Sequence, residues 1–249
     1  MLRVFLFLVL VTVATCTKAK ESVHLQWSLC DPHPKIVLEK LGHKGSKPYK
    51  ENPVTYYDTE MPRYTENGVM FRTKMSKRTM ISKRQKISSV KVRFDEDETA
   101  IRDKAHCVWD QYGNSTFYTC ERRSPLHRKS LWSDDQVAFV EQFQRVAWAD
   151  LVPFGPYQNP KWKLRIKGFK AVFDDVKALP HHLMEIEMKV PRKEGKDAYR
   201  MITEHLQRHD VMLCDKQEAR TLRLFRAMGL LVGADQTPLD ESSHSSLPG

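Results

Sequence analysis

Four short stretches place charged residues two positions apart: Arg72-Thr-Lys74, Lys91-Val-Arg93, Arg165-Ile-Lys167 and Glu185-Ile-Glu187-Met-Lys189. A β-strand sends residues i and i+2 to the same face. Each stretch therefore predicts a strand with one charged face and one apolar face. Phe71, Val90, Val92, Leu164, Ile166, Ile186 and Met188 supply the apolar face and favour the strand. A barrel with an apolar outer layer and a charged lumen satisfies this pattern. A lumen of cations with a few carboxylates suits a polyanion and a divalent metal.

The 249 residues suit one domain. At the start, Arg3 precedes a run from Val4 to Val13 that is apolar except for Thr12, and Ala14-Thr15-Cys16 is a small-residue ending. This reads as a secretory signal peptide over residues 1–16, too short in its apolar run to span a bilayer. The expected organisation is a single domain over residues 17–233 and a disordered Ser/Pro-rich tail over residues 234–249, in a secreted, extracellular protein with no transmembrane segment.

Removing the signal leaves Cys30, Cys107, Cys120 and Cys214, an even number suited to two disulfides, with three connectivities open. Cys107 and Cys120 are equidistant from Gly113-Asn114, so a hairpin turning there sets them opposite each other. Cys30 and Cys214 then pair by elimination. Asn114-Ser115-Thr116 is a glycosylation sequon on the same turn, with Asn114 as acceptor.

The net charge of +10 falls to +9 once Arg3 leaves with the signal, and it is unevenly spread. Residues 67–93 hold nine Lys or Arg and no acid. Lys77, Arg78, Lys83 and Arg84 read as a solvated loop. The remaining cations read as attraction for a polyanion, whether a nucleotide, polyphosphate, anionic glycan or membrane surface, and the expected partner is a small anionic (phosphorylated) ligand. No zinc-finger spacing, RNP motif or Gly-rich phosphate loop points to nucleic acid.

Strands are predicted at Leu25–Cys30, Val54–Tyr57, Val69–Lys74, Ser88–Phe94, Cys107–Asp110, Phe117–Glu121, Trp162–Phe169 and Leu183–Val190. A helix starts at Ser133, whose spacing to Gln136 is a capping box, and keeps its period through Val137, Val140, Phe143 and Ala147. A short helical pattern over Lys35–Leu41 and two closing helices, Asp197–His209 and Lys216–Met228, complete an α+β domain. Asp58 reads as a turn-stabilising acid. His181 and His182 are adjacent in a strand and point to opposite faces, so they do not share a metal.

These elements resemble the CYTH-like superfamily, also called triphosphate tunnel metalloenzymes. Val54-Thr-Tyr-Tyr-Asp-Thr59 followed by Gly68-Val-Met-Phe-Arg72-Thr-Lys74 is similar to the family's strand end and Gly-x-x-x-Arg-x-Arg strand. Ser88-Ser-Val-Lys91-Val-Arg93 and Lys163-Leu-Arg165-Ile-Lys167 resemble its later basic strands. Val172-Phe-Asp-Asp-Val176 with Leu183-Met-Glu185-Ile-Glu187 resembles its last strand pair, and Lys216 and Arg220 fall where it keeps basic residues. The resemblance implies an eight-stranded antiparallel tunnel barrel with packed helices. It implies phosphate binding by Arg72, Lys74, Lys91, Arg93, Arg165 and Lys167, and Mg²⁺ or Mn²⁺ held by Glu185, Glu187 and Glu121. The implied activity is triphosphate hydrolysis. One departure matters: the family's first strand carries Glu-x-Glu-x-Lys, and here that strand reads His24-Leu-Gln26-Trp-Ser28, without a carboxylate. Two functions therefore stay open, a metal-dependent phosphohydrolase and a non-catalytic secreted binding or effector protein that reuses the barrel.

Overall fold

The computed structural model describes residues 22–75, 85–95, 105–126 and 130–231. The predicted signal peptide, the tail and the Lys77–Arg84 loop cations lie outside them. Eleven strands form one sheet: β1 (Ser22–Leu29), β2 (Lys50–Glu51), β3 (Val54–Asp58), β4 (Val69–Met75), β5 (Lys86–Phe94), β6 (His106–Tyr112), β7 (Ser115–Pro125), β8 (Val152–Tyr157), β9 (Pro160–Ile166), β10 (Phe169–Ala178) and β11 (His181–Pro191). Their order is β2-β9-β10-β11-β1-β6-β7-β5-β4-β3-β8. All pairings are antiparallel except β1 with β6.

The expected eight-stranded closed barrel is corrected to this open, eleven-stranded sheet. Two strands that the charge pattern does not mark, β2 and β8, form its edges. An isolated bridge between Gln158 and Lys177 brings the chain just after β8 to β10.

The predicted alternation sets the layers. Phe71, Val90, Val92, Leu164, Ile166, Met184, Ile186 and Met188 turn to the outer face and join one core cluster. Three helices lie there: α1 (Pro34–Lys40), α2 (Asp134–Val140) and α3 (Gly195–Arg208). Ala198, Ile202 and Leu206 of α3 are buried, and Tyr199 stacks on Trp27 at 4.7 Å. Helix α2 starts as predicted: Ser133 and Gln136 form a capping box. It stops at Val140, sooner than the periodicity predicts, and Phe143 packs edge-on against Phe94 from a turn.

Helix α4 (Arg220–Ala227) belongs to a second cluster. Its Leu224 and Phe225 pack with Val54, Tyr56, Val176, Ala178 and Leu183. The helix is shorter than predicted because residues 212–218 are strapped to β1 instead. Cys30 donates to the Met212 carbonyl and Cys214 to the Ser28 carbonyl. The Gln217 amide accepts from Ser28 N at 2.8 Å and donates to the Ser28 carbonyl at 3.0 Å. The Cys30–Cys214 disulfide closes this strap, and Cys107–Cys120 bridges directly opposed residues of β6 and β7. Both predicted pairings are formed. Gly113 takes φ 57° at the hairpin turn, and Asn114 is exposed beside it.

The predicted strand Trp162–Phe169 is corrected. It breaks at Lys167 and Gly168, both in the left-handed region, and the chain turns from β9 into β10. Asp58 has its expected role, accepting backbone N–H groups from Thr59, Arg63, Tyr64 and Thr65.

Candidate functional site: a cationic cavity with its own counter-charges

The inner face of the sheet curls around a cavity of about 250 Å³, and α4 lies against it. Seven Lys or Arg line it, namely Arg72, Lys74, Lys91, Arg93, Arg123, Lys161 and Arg220, against four acids, Glu121, Asp174, Glu185 and Glu187. The excess is three formal positive charges. His24, Gln26, His106, Tyr112, Thr65 and Thr119 add polar groups to the wall.

Four of the six predicted phosphate-binding residues are here. Arg72 and Lys74 come from β4, Lys91 and Arg93 from β5, each opposite its buried apolar neighbours. The other two are corrected. Arg165 is exposed, and Lys167 sits in the β9–β10 turn; neither lines the cavity. Lys161, four residues before Arg165 on the same strand face, takes the inner place. The three predicted metal ligands, Glu121, Glu185 and Glu187, also reach the cavity.

The charges divide into two groups. On one side Glu121 accepts from Arg72 at 2.9 Å and pairs with Arg123, while Lys91 is its cross-strand partner. Burial alone would raise the Glu121 pKa, but Arg72, Lys91 and Arg123 outweigh it and hold the carboxyl well below the usual range. On the other side Asp174 and Glu185 face each other directly across β10 and β11. Like charges so placed repel. Arg220 relieves this: its guanidinium lies 2.6 Å from Asp174 and 2.5 Å from Glu185, and Lys161 also pairs with Asp174. Burial pushes the Glu185 pKa up, whereas Asp174, equally buried, is held down by Arg220 and Lys161. Glu187 stands 3.6 Å from His24 and is half exposed.

The other cations make no close ion pair, although Lys91 and Lys74 act on Glu121 through space. Among the described residues Lys74, Lys91 and Arg93 form no ion pair. Arg93 lies over the rings of Tyr112 and Phe117 at 5.4 and 5.1 Å, and its Nε–H has no acceptor. The Arg72 charge and burial together lower the Lys74 pKa to about 6. The buried hydroxyls of Thr65 and Thr119 are also without partners. Gly68 lets β4 start against β5: it takes φ 79°, and a Cβ there would meet the Arg93 carbonyl oxygen at 3.1 Å.

A divalent ion of the Mg²⁺ or Mn²⁺ type needs several oxygen ligands free to converge. Glu121 is engaged by two arginines, and Asp174 and Glu185 share Arg220. Among the described residues no three Asp, Glu, His or Cys side chains gather as a metal-ligand group. The residues present do not fit the expected metal site. His24 and Gln26 of β1 reach the cavity, whereas Ser28 turns its hydroxyl to the Glu218 carbonyl.

Arg123, Lys161, Asp174 and Arg220 are wall residues that the charge pattern alone does not single out. Arg123 and Lys161 do extend an i, i+2 series, Glu121-Arg-Arg123 and Lys161-Trp-Lys163. Asp174 is hidden in an acid pair, and Arg220 comes from a helix.

No family model matches the chain, and no curated protein matches its sequence. Among solved structures it resembles a protein from Bacillus halodurans provisionally named an adenylate cyclase: TM-score 0.53, 11% identity, 83% of this chain and 98% of that one. A protein from Hippeastrum, provisionally named an adenylyl cyclase and described as having a dominant triphosphatase activity, aligns with TM-score 0.48 and 12% identity over 85% and 97%. PH1819 from Pyrococcus horikoshii aligns with TM-score 0.43 and 14% identity over 83% and 99%. At 11% identity the Bacillus halodurans likeness is one of fold alone; it agrees with the mostly-sheet fold that the sequence resemblance implies, while the strand count and closure differ.

Proposed function

We propose that this chain binds a small, multiply charged anion of the phosphate class in the cavity, as an exported binding protein rather than a metal-dependent hydrolase. One observation carries the reading. Lys74, Lys91 and Arg93, on adjacent strands, face one cavity without ion-pair partners among the described residues. Arg93 Nε–H and the hydroxyls of Thr65 and Thr119 are buried without partners and can donate to a ligand oxygen; the cavity's unpartnered acceptors, Asp174 Oδ1 and Glu185 Oε2, belong to the acids paired with Arg220. Partly burying Lys91 and Arg93 without close counter-charges is costly, and an anion that accepts from them, and that draws the Lys74 amine back to its charged form, offsets that cost. The volume of about 250 Å³ lies just under the roughly 300–1,000 Å³ of common ligand pockets, which favours a compact anion such as tripolyphosphate over a whole nucleotide.

Two disulfides suit an oxidising compartment, and no helix among the described residues is long and apolar enough to cross a membrane. The disulfides support the exported, extracellular location in this proposal, and exposed Asn114 is its candidate glycosylation site.

A second reading, triphosphate hydrolysis with Mg²⁺ or Mn²⁺, draws on Glu185 and Glu187 sharing the cavity face. It is the weaker of the two, because Glu185 is already bound to Arg220.

Calorimetric titration of the purified chain with tripolyphosphate tests the proposal, beside Lys91→Ala/Arg93→Ala and with phosphate release followed in Mg²⁺ and Mn²⁺. Losing two charge-assisted contacts is expected to weaken binding by roughly a hundredfold or more. Equal affinity in both proteins refutes the binding site. Release that disappears in Glu185→Gln/Glu187→Gln establishes the hydrolase instead.

A further inference from the structure

Asp174 and Glu185 are opposed acids on adjacent strands, almost fully buried, and such a pair is a natural place for a metal ion. The chain fills it from within. Arg220, the first residue of α4, reaches both carboxylates, and the helix is fixed by Leu224 and Phe225 in their own core and by the residue 212–218 strap to β1. Arg223, one turn along, donates to the Met184 and Leu29 carbonyls and ties α4 to β11 and β1. The guanidinium is thus positioned by covalent, packed and hydrogen-bonded constraints at once.

We infer that Arg220 is a built-in counter-cation which occupies the place of a divalent ion, so that the cavity takes its phosphate-type anion free of metal and discriminates against the Mg²⁺-bound form. This rests on the anion-binding reading and sharpens it to a ligand species. The reasoning is electrostatic. A metal complex of tripolyphosphate carries two fewer negative charges and presents a cation to a wall that already has a positive excess. Each carboxylate that would receive that cation has one oxygen ion-paired with Arg220, although Glu185 Oε2 keeps no hydrogen bond of its own.

The test compares tripolyphosphate affinity in EDTA with affinity in saturating Mg²⁺, using the full chain. About tenfold tighter binding in EDTA is expected. Tighter binding in Mg²⁺, or equal affinity, overturns the inference and leaves the anion site standing. Absence of binding in both conditions removes the anion reading itself. A second measurement does not depend on the anion: Mn²⁺ titration followed by its electron paramagnetic resonance signal. The native chain is expected to leave Mn²⁺ free, and Arg220→Ala to take up one equivalent. Stoichiometric uptake by the native chain overturns the inference, as does a folded Arg220→Ala protein that leaves Mn²⁺ free. If Arg220→Ala does not fold, the native chain's Mn²⁺ titration and its EDTA comparison still decide.

Discussion

The two disulfides make a controlled pair of perturbations, because they close loops of very different length in one fold. Cys30 and Cys214 are 184 residues apart, Cys107 and Cys120 only 13. In the chain-entropy account, the long loop restricts the unfolded ensemble by about 5 kcal/mol and the short one by about 3 kcal/mol. For a domain of this size those costs correspond to roughly 10–20 °C and 6–12 °C in Tm. Cys30→Ala/Cys214→Ala should therefore destabilise by about 2 kcal/mol more than Cys107→Ala/Cys120→Ala, measured by urea unfolding followed through tryptophan fluorescence. The folded state should hardly notice. Without the cross-link, the strap keeps its bonds from Cys30, Cys214 and Gln217, and α4 keeps its core around Phe225. Tripolyphosphate affinity under native conditions should stay within about twofold, since the cross-link acts mainly on the unfolded chain. Equal destabilisation by the two pairs refutes the loop-entropy argument. A large loss of affinity in Cys30→Ala/Cys214→Ala refutes the claim that packing and hydrogen bonds hold Arg220 in place.

Lys74 makes stability depend on pH with a defined sign. Its folded-state pKa is about 6 against 10.5 unfolded, so between those values the unfolded chain binds more protons and stability rises with pH, by at most about 1.4 kcal/mol per unit. Lys74→Met should flatten that slope in urea titrations across pH 6–10; an unchanged slope rejects the assignment. Because a bound anion favours the charged amine, binding at pH 8 should take up protons, visible as a heat that varies with buffer ionisation enthalpy and is reduced in Lys74→Met. Arg165→Ala and Lys167→Ala serve as controls outside the cavity: tripolyphosphate affinity at physiological salt should change by less than about threefold, as expected for exposed charges, and a larger loss would extend the binding surface beyond the cavity.

The sequence shows faces more clearly than it shows depth. Period-two charge patterning identifies the inner faces of β4, β5 and β11, because Phe71, Val90, Val92 and Ile186 leave the alternate side chains no other side. Along β9 the same pattern runs from Lys161 through Lys163 and Arg165, and every one of these lies on the correct face. Only Lys161 reaches the cavity. Where a strand crosses the cavity depends on its neighbours, and the local signal for the end of β9, Gly168, marks the turn but not the crossing point. The edge strands were hidden for a different reason. β2 has two residues, and β8, Val152-Pro-Phe-Gly-Pro-Tyr157, contains two prolines and a glycine, which a strand tolerates mainly at an edge.

Acids raise a further difficulty, since a sequence displays their number but not their partners. Glu185-Ile-Glu187 reads as a metal motif when it is set beside the basic strands alone. Once β10 brings Asp174 opposite Glu185 and α4 brings Arg220 between them, Glu185 becomes an anchor of an internal ion pair, while Glu187 is left near His24. The missing acids of β1 fit this exchange. With His24 and Gln26 in the wall, a divalent ion would lack ligands from that strand, whereas a guanidinium needs only the two acids it already has. With Arg220 answering Asp174 and Glu185 on one side, and Arg72 and Arg123 answering Glu121 on the other, Lys74, Lys91 and Arg93 are the groups left over for the proposed anion. In the proposed reading, this distribution of paired and unpaired cations, more than the total charge, is what would suit the wall to binding.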